Sequence, residues 1–162
     1  MKGKRTDLGT TQCGIARSLG VIGDWWSLLI IRDAFIGLEH FGEFHRSLGL
    51  ARNILSTRLK KLVEHGIFRI EPDEDNASSH RYLLTERGKE LYIVIMALCQ
   101  WGENGCFAPD EKRYLMIDRK LGRPLAPLEL RADDGRILGP DDFRHVSPQE
   151  WEGLELGRLE PE

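Results

Sequence analysis

The chain has 162 residues, 41% of them apolar and 30% charged, which supports one cored domain with or without an appendage and excludes wholesale disorder. No apolar run approaches the roughly 18 residues of a membrane span, and no apolar signal core follows the basic residues 1–5, so neither a membrane nor export is expected. The net charge of −3 disfavours a polyanionic partner on average, but residues 41–71 hold six cations against three carboxylates, and local clustering is what a polyanion reads.

In chain order, Ile15, Leu19 and Ile22 recur at helical spacing, predicting an amphipathic helix over 13–22. Gly23 breaks the chain and Asp24 is a good N-cap for a second helix over about 25–36, apolar nearly all round and therefore central and buried. Gly37 ends it. A short helix over 41–48 places Phe41, Phe44 and Leu48 on one face and stops at Gly49. The next helix, 53–65, closes at Gly66, with Leu55, Leu59 and Leu62 inward. Its opposite face carries Asn53, Thr57, Lys60, Lys61 and Glu64, with Ser56 at the edge.

Residues 67–71 and 80–84 read as two short strands of a hairpin with a long polar tip. Thr85 then caps a helix expected to run unbroken to about 106. Beyond it, proline and glycine become frequent. Residues 114–117, 125–130 and 136–138 are predicted strands, with a hairpin turn at 133–135 and a frayed acidic end. The expected divisions are an arm (1–12), a helical unit with a small hairpin (13–106) and a β-rich extension (107–162).

A short helix turned into a second, with a hairpin behind it, is a winged helix-turn-helix. The leucines of the second helix would hold it to the core and offer its outer face to a DNA major groove. Asn53 suits a bidentate pair with adenine, and Ser56 and Thr57 suit base edges or a thymine methyl. Arg52, Arg58, Lys60 and Lys61 suit phosphates, or guanine in the case of arginine, while His80 and Arg81 on the hairpin could reach the backbone. Periodicity alone fits a merely solvated basic helix equally well.

Four segments resolve that tie through a resemblance. They are Cys13-Gly14-Ile15-Ala16; the stretch from Ile22-Gly23-Asp24-Trp25-Trp26 to Arg32-Asp33; Phe41-Gly42-Glu43-Phe44 with the run from Arg52-Asn53-Ile54-Leu55 to His65-Gly66; and Tyr82-Leu83-Leu84-Thr85-Glu86-Arg87-Gly88. In this order the sequence resembles the HxlR family of MarR-like winged helix-turn-helix regulators. The resemblance implies a fold that is mainly α with a small β wing, dimerising through its terminal helices. It implies a cytoplasmic, sequence-specific homodimer on double-stranded DNA, most simply a repressor at a pseudo-palindromic operator. The alternative is a winged-helix module that binds protein instead. Two departures matter. Trp25 stands where the family has a polar residue, and the wing tip carries Asp73-Glu74-Asp75, which repel phosphate, so Ser78, Ser79, His80 and Arg81 are the better wing contacts.

Cys13, Cys99 and Cys106 form no C-x-x-C pair, which argues against a zinc ribbon or disulfide framework and fits a reducing cytoplasm. Cys13, one turn before Arg17 at a helix start, is a candidate oxidant or electrophile sensor, as in some relatives; a small packed cysteine is the other reading. Cys99 and Cys106 are expected to pack at an interface. Trp25, Trp26, Trp101 and Phe107 could line a small-molecule effector pocket between the dimer helices or serve as core. The five histidines form no H-E-x-x-H pair, and no G-x-S-x-G, Walker or dinucleotide motif is present, so an enzyme, a cofactor and a metal are not expected.

Overall fold

The computed structural model describes residues 8–73 and 79–155. The chain forms two compact units, Met1–Phe107 and Ala108–Glu162. The first contains α1 (Gly14–Ile22), α2 (Trp25–Phe35), α3 (Phe41–Leu48), α4 (Arg52–Glu64), β1 (Phe68–Pro72), β2 (His80–Leu84), α5 (Glu86–Lys89) and α6 (Tyr92–Gly105).

Local chemistry sets the helix boundaries. Asp24 caps α2: Ser27 donates its backbone N–H to Oδ1 at 3.0 Å and its hydroxyl to Oδ2 at 2.6 Å. Gly49 (φ 63°) and Gly66 (φ 68°) end α3 and α4 in the left-handed region, where a Cβ is costly. The core gathers Ile30 and Ile31 of α2, Phe44 of α3, Leu55, Leu59 and Leu62 of α4, and Phe68 of β1. Phe44 and Phe68 meet edge to face, ring centres 6.3 Å apart.

The apolar face of α1 is buried only at its end. Ile22 is buried, but Ile15 and Leu19 are exposed. Likewise α2 is central, with Ser27, Ile30, Ile31 and Asp33 buried, yet Trp25 at its start is 67% exposed.

β1 and β2 pair antiparallel, Phe68 opposite Leu84 and Pro72 opposite His80. A third edge joins them. His40 bridges Arg81, and the Tyr82 N–H donates to the Glu39 carbonyl at 2.7 Å. The segment entering α3 is therefore joined to the wing by backbone pairing.

The helix expected to run from Thr85 to 106 is broken. α5 ends at Lys89, and a turn at Glu90 and Leu91 precedes α6. Within α5, Gly88 is buried so close to the Ile67 carbonyl that a Cβ would collide with it. Thr85 holds this contact from both sides, donating its hydroxyl to the Gly66 carbonyl at 2.6 Å and accepting from the Gly88 N–H at 3.1 Å. Helical periodicity continues through the site, so only the tertiary packing shows the interruption.

In the second unit the expected strands are corrected. Among the described residues it holds two isolated antiparallel bridges, Ile117 with Pro124 and Arg131 with Ile137, rather than strands. A helix not foreseen, α7 (Pro148–Glu155), follows them. The hairpin turn is where expected, with Gly135 at φ 88° between the bridged residues. None of residues 108–154 is buried. Without an apolar face to pack, an isolated strand pair gains little, which accounts for bridges in place of ladders.

Candidate nucleic-acid interface

α3, the Gly49 turn and α4 form the helix-turn-helix. Leu50 in the turn is buried, as are Leu55, Leu59 and Leu62, so α4 is anchored along one stripe. Opposite that stripe Asn53, Ser56, Thr57 and Lys60 are exposed together. The Thr57 hydroxyl donates to the Asn53 carbonyl at 2.8 Å, leaving its oxygen as an acceptor. Lys60 lies 3.8 Å from Glu64, an exposed pair that holds the ammonium only weakly. Arg52, also exposed, places its guanidinium 6.0 Å from the centre of the Phe41 ring, which braces it against α3. Lys61 flanks this face, half-buried.

Two sequence-predicted contacts lie elsewhere. Arg58 is turned back to the protein: its side chain is 27% exposed and its Nε stands 3.1 Å from Asp24 Oδ1. The pair meets the ion-pair distance, but its alignment leaves the buried Nε without a hydrogen bond. The cause is register. Arg58 follows Leu55 by three residues and precedes Leu62 by four, so it borders the buried stripe.

Arg81 is likewise committed, its Nε donating to Glu39 Oε2 at 2.7 Å and its terminal nitrogen 2.6 Å from the same oxygen. That carboxylate holds the Arg81 guanidinium more firmly protonated than usual. Ser79 is half-buried, while His80 is exposed with its Nδ1 2.8 Å from the Ser79 carbonyl. Ser78 and the tip acids Glu74 and Asp75 lie outside the described residues.

Sequence reasoning missed His40. Its Nε2 is 3.0 Å from Asp73 Oδ2 and its Nδ1 is 3.2 Å from Glu43 Oε2. Glu43 also accepts the N–H groups of Glu39 and His40, each at 2.9 Å. Burial works against a charged His40, but the Glu43 and Asp73 carboxylates outweigh it and raise its pKa. The Glu39 and His40 N–H groups, with the imidazole, lower that of Glu43 despite its partial burial. The available signal was the spacing of His40 and Glu43 across a helix start. Asp73 thus faces His40 across the wing rather than a duplex.

Residues 21–109, more than half the chain, match the HxlR-like helix-turn-helix family. The chain belongs to this family. Membership makes it a DNA-binding transcriptional regulator. It is 44% identical over 140 residues to an uncharacterized HTH-type transcriptional regulator, Rv3095, of Mycobacterium tuberculosis, the match covering 86% of this chain and 87% of the relative.

The crystal structure of PA1607, a candidate transcription factor, superposes with a TM-score of 0.84 at 48% identity over 88% of this chain and 99% of that one. The oxidized form of the redox regulator HypR superposes with a TM-score of 0.54 at 26% identity, covering 59% of this chain and all of HypR. This HxlR-family chain therefore shares part of its second unit with PA1607, since the first unit alone is shorter than the matched share.

Two further features of this HxlR protein bear on regulation. Cys13 is exposed in the single chain and serves as the residue preceding α1. Its N–H donates to Thr11 Oγ1 at 3.0 Å, and the Arg17 guanidinium reaches the Thr11 carbonyl. Cys99 is half-buried, and burial followed by the Glu103 carboxylate pushes its thiol pKa up. The aromatic effector pocket is not formed within one chain. Trp25 lies tilted against Trp26 with ring centres 4.4 Å apart, but Trp25 and Trp101 are 67% and 72% exposed.

Among the described residues no single helix is long and apolar enough to cross a membrane.

Proposed function

We propose that this HxlR-family regulator is a cytoplasmic homodimeric repressor that reads a pseudo-palindromic operator through the outer face of α4 and acts by occupancy rather than catalysis. The observation that carries the reading is the split of α4 into a buried leucine stripe and an exposed face holding Asn53, Ser56, Thr57 and Lys60. Asn53 and Thr57, one turn apart, offer hydrogen bonds to neighbouring base edges, and Arg52, Lys60 and Lys61 offer phosphate contacts. Lone-pair geometry makes Thr57 an acceptor there.

Exposed apolar side chains on Ile15 of α1 and on Val94, Leu98 and Trp101 of α6 support a two-fold partner, which would set the two recognition helices about one DNA turn apart. Sedimentation at micromolar concentration should give the mass of two chains.

The deciding experiment is anisotropy of the protein on its own upstream DNA against salt. A steep loss of affinity with salt is expected. Asn53→Ala should relax discrimination at one base pair by about 1–3 kcal/mol. Absent binding would leave the protein-interaction module as the better account.

Cys13 is the proposed oxidant-responsive thiol, supported by its exposure and by the likeness to a redox regulator. Cys13→Ser should leave DNA binding intact and abolish its loss on diamide treatment.

A further inference from the structure

The second unit is acidic as a whole, but its charge is segregated. Residues 112–123 hold five cations against one carboxylate, Asp118, whereas residues 124–162 hold four cations against ten carboxylates. Three arginines of the later stretch are committed nearby, Arg131 to Glu129, Arg136 to Asp134 and Arg144 to Glu150. Arg119, Lys120 and Arg123 are exposed and have no ion-pair partner among the described residues. All three lie on one turn. Ile117 bridges Pro124, the Asp118 N–H donates to the Arg123 carbonyl at 2.8 Å, and the Gly122 N–H donates to the Asp118 carbonyl at 2.8 Å. The Asp118 carboxylate is turned to the backbone, accepting the N–H groups of Lys120 at 2.7 Å and Leu121 at 2.6 Å. Gly122 reverses the chain at φ 63° and leaves a gap without a side chain between Leu121 and Arg123. Leu121, at the tip, is 64% exposed.

We propose that this turn is a second DNA contact, entering the minor groove of A·T-rich duplex beside the sequence read by α4. The contact rests on the DNA-binding reading above and extends it to a segment outside the helix-turn-helix. A narrow A·T minor groove has an enhanced negative potential, and arginine and lysine side chains are what it draws in. Guanine adds an amino group there, a donor that faces cations unfavourably. Gly122 lets the backbone approach the groove closely, and Leu121 offers it apolar surface. Tethering favours DNA over a free acidic protein. Once α4 holds a duplex, the turn is confined near it at high effective concentration, so a few contacts suffice.

The test measures anisotropy of the full-length protein on its upstream duplex and on a scrambled copy. Each is extended at both ends by about one helical turn of A·T, G·C or inosine·cytosine pairs. Inosine·cytosine lacks the guanine amino group, so it resembles A·T in the minor groove and G·C in the major groove. A·T and inosine·cytosine flanks should bind alike, roughly tenfold tighter than G·C flanks. The triple variant Arg119→Gln, Lys120→Gln, Arg123→Gln should lose that preference and lower the salt slope on A·T flanks by about 2–3. It should keep its discrimination between native and scrambled cores and its circular-dichroism melt. Arg131→Gln with Arg136→Gln removes two paired cations from the same unit and should change neither preference nor slope.

Equal affinity for all three flanks, or a flank preference unaltered in the triple variant, would overturn the minor-groove contact. So would inosine·cytosine flanks as weak as G·C, which would move the contact to the major groove. A slope lowered as much by the Arg131 and Arg136 pair of substitutions would make net charge the cause and overturn it too. Flank preference reads the turn and core discrimination reads α4, so the two readings fail separately. Flank preference without core discrimination supports the turn and removes sequence reading by α4; core discrimination without flank preference does the opposite. No binding to any duplex overturns both.

Discussion

Asp24 Oδ1 accepts from the Ser27 N–H at 3.0 Å and stands 3.1 Å from the Arg58 Nε, so the residue that starts α2 also holds the middle of α4. The recognition helix is thereby fixed by a charge as well as by its leucines. Asp24→Ala removes a cap worth about 1 kcal/mol and strands a half-buried guanidinium at a further cost of roughly 1–3 kcal/mol. Asp24→Asn keeps the cap acceptor and loses only the charge. Urea unfolding should rank wild type above Asp24→Asn and Asp24→Asn above Asp24→Ala. Equal stability of wild type and Asp24→Asn would show that Arg58 gains nothing from the carboxylate.

His40 makes the attachment of the wing depend on pH. Its pKa is raised in the fold by the Glu43 and Asp73 carboxylates acting against burial. The stabilisation is complete below the ordinary imidazole value of 6.5 and is lost as pH rises through the elevated one. Glu43, lowered by the Glu39 and His40 N–H groups, adds the opposite edge: its share is present above the ordinary carboxylate range and is lost in acid. Unfolding measured from about pH 5 to pH 9 should show stability falling on the alkaline side, and His40→Gln should flatten that fall. An unchanged profile in His40→Gln would place the titration elsewhere.

Arg81 and Lys60 are both cations near the motif, yet their variants should behave differently. Lys60 is exposed and only loosely held, so Lys60→Ala should lower the salt slope of DNA binding by about 1 and weaken all sequences alike. Arg81 is committed to Glu39 at 2.7 Å, so Arg81→Ala should leave that slope unchanged. Its partly exposed ion pair should show only weak coupling in a double-mutant cycle with Glu39→Gln. A slope lowered by Arg81→Ala would return this residue to the interface.

Gly88 is the tightest fit between α5 and the wing. A Cβ there meets the Ile67 carbonyl and the Leu84 side chain, and backbone yields less readily than a side-chain tip. Gly88→Ala should therefore destabilise by about 1–3 kcal/mol, although alanine favours helix. A melting temperature raised by this substitution would show that the helix propensity outweighs the clash.

Much of the site was legible in the residue pattern. Leucines at 55, 59 and 62 specify which side of α4 is inward, because a helix repeats every 3.6 residues and apolar surface leaves water. Asp24 and Thr85 were readable as caps, and Gly49 and Gly66 as terminators, because each acts on its own neighbours in the chain. The order of elements, and with it the HxlR motif, follows from those local rules.

Other features depended on groups far apart in sequence. Arg58 and Arg81 carry the same charge as Lys60, but only the packed structure brings Asp24 and Glu39 within reach of them. His40 joins Asp73 across the wing for the same reason, and residue 88 has to be glycine because the Ile67 carbonyl lies where a Cβ would be. A periodic pattern reports which face is buried. It does not report where a long flexible side chain folds back, or which distant carboxylate or carbonyl it meets, since those depend on distances that exist only once the chain has closed on itself.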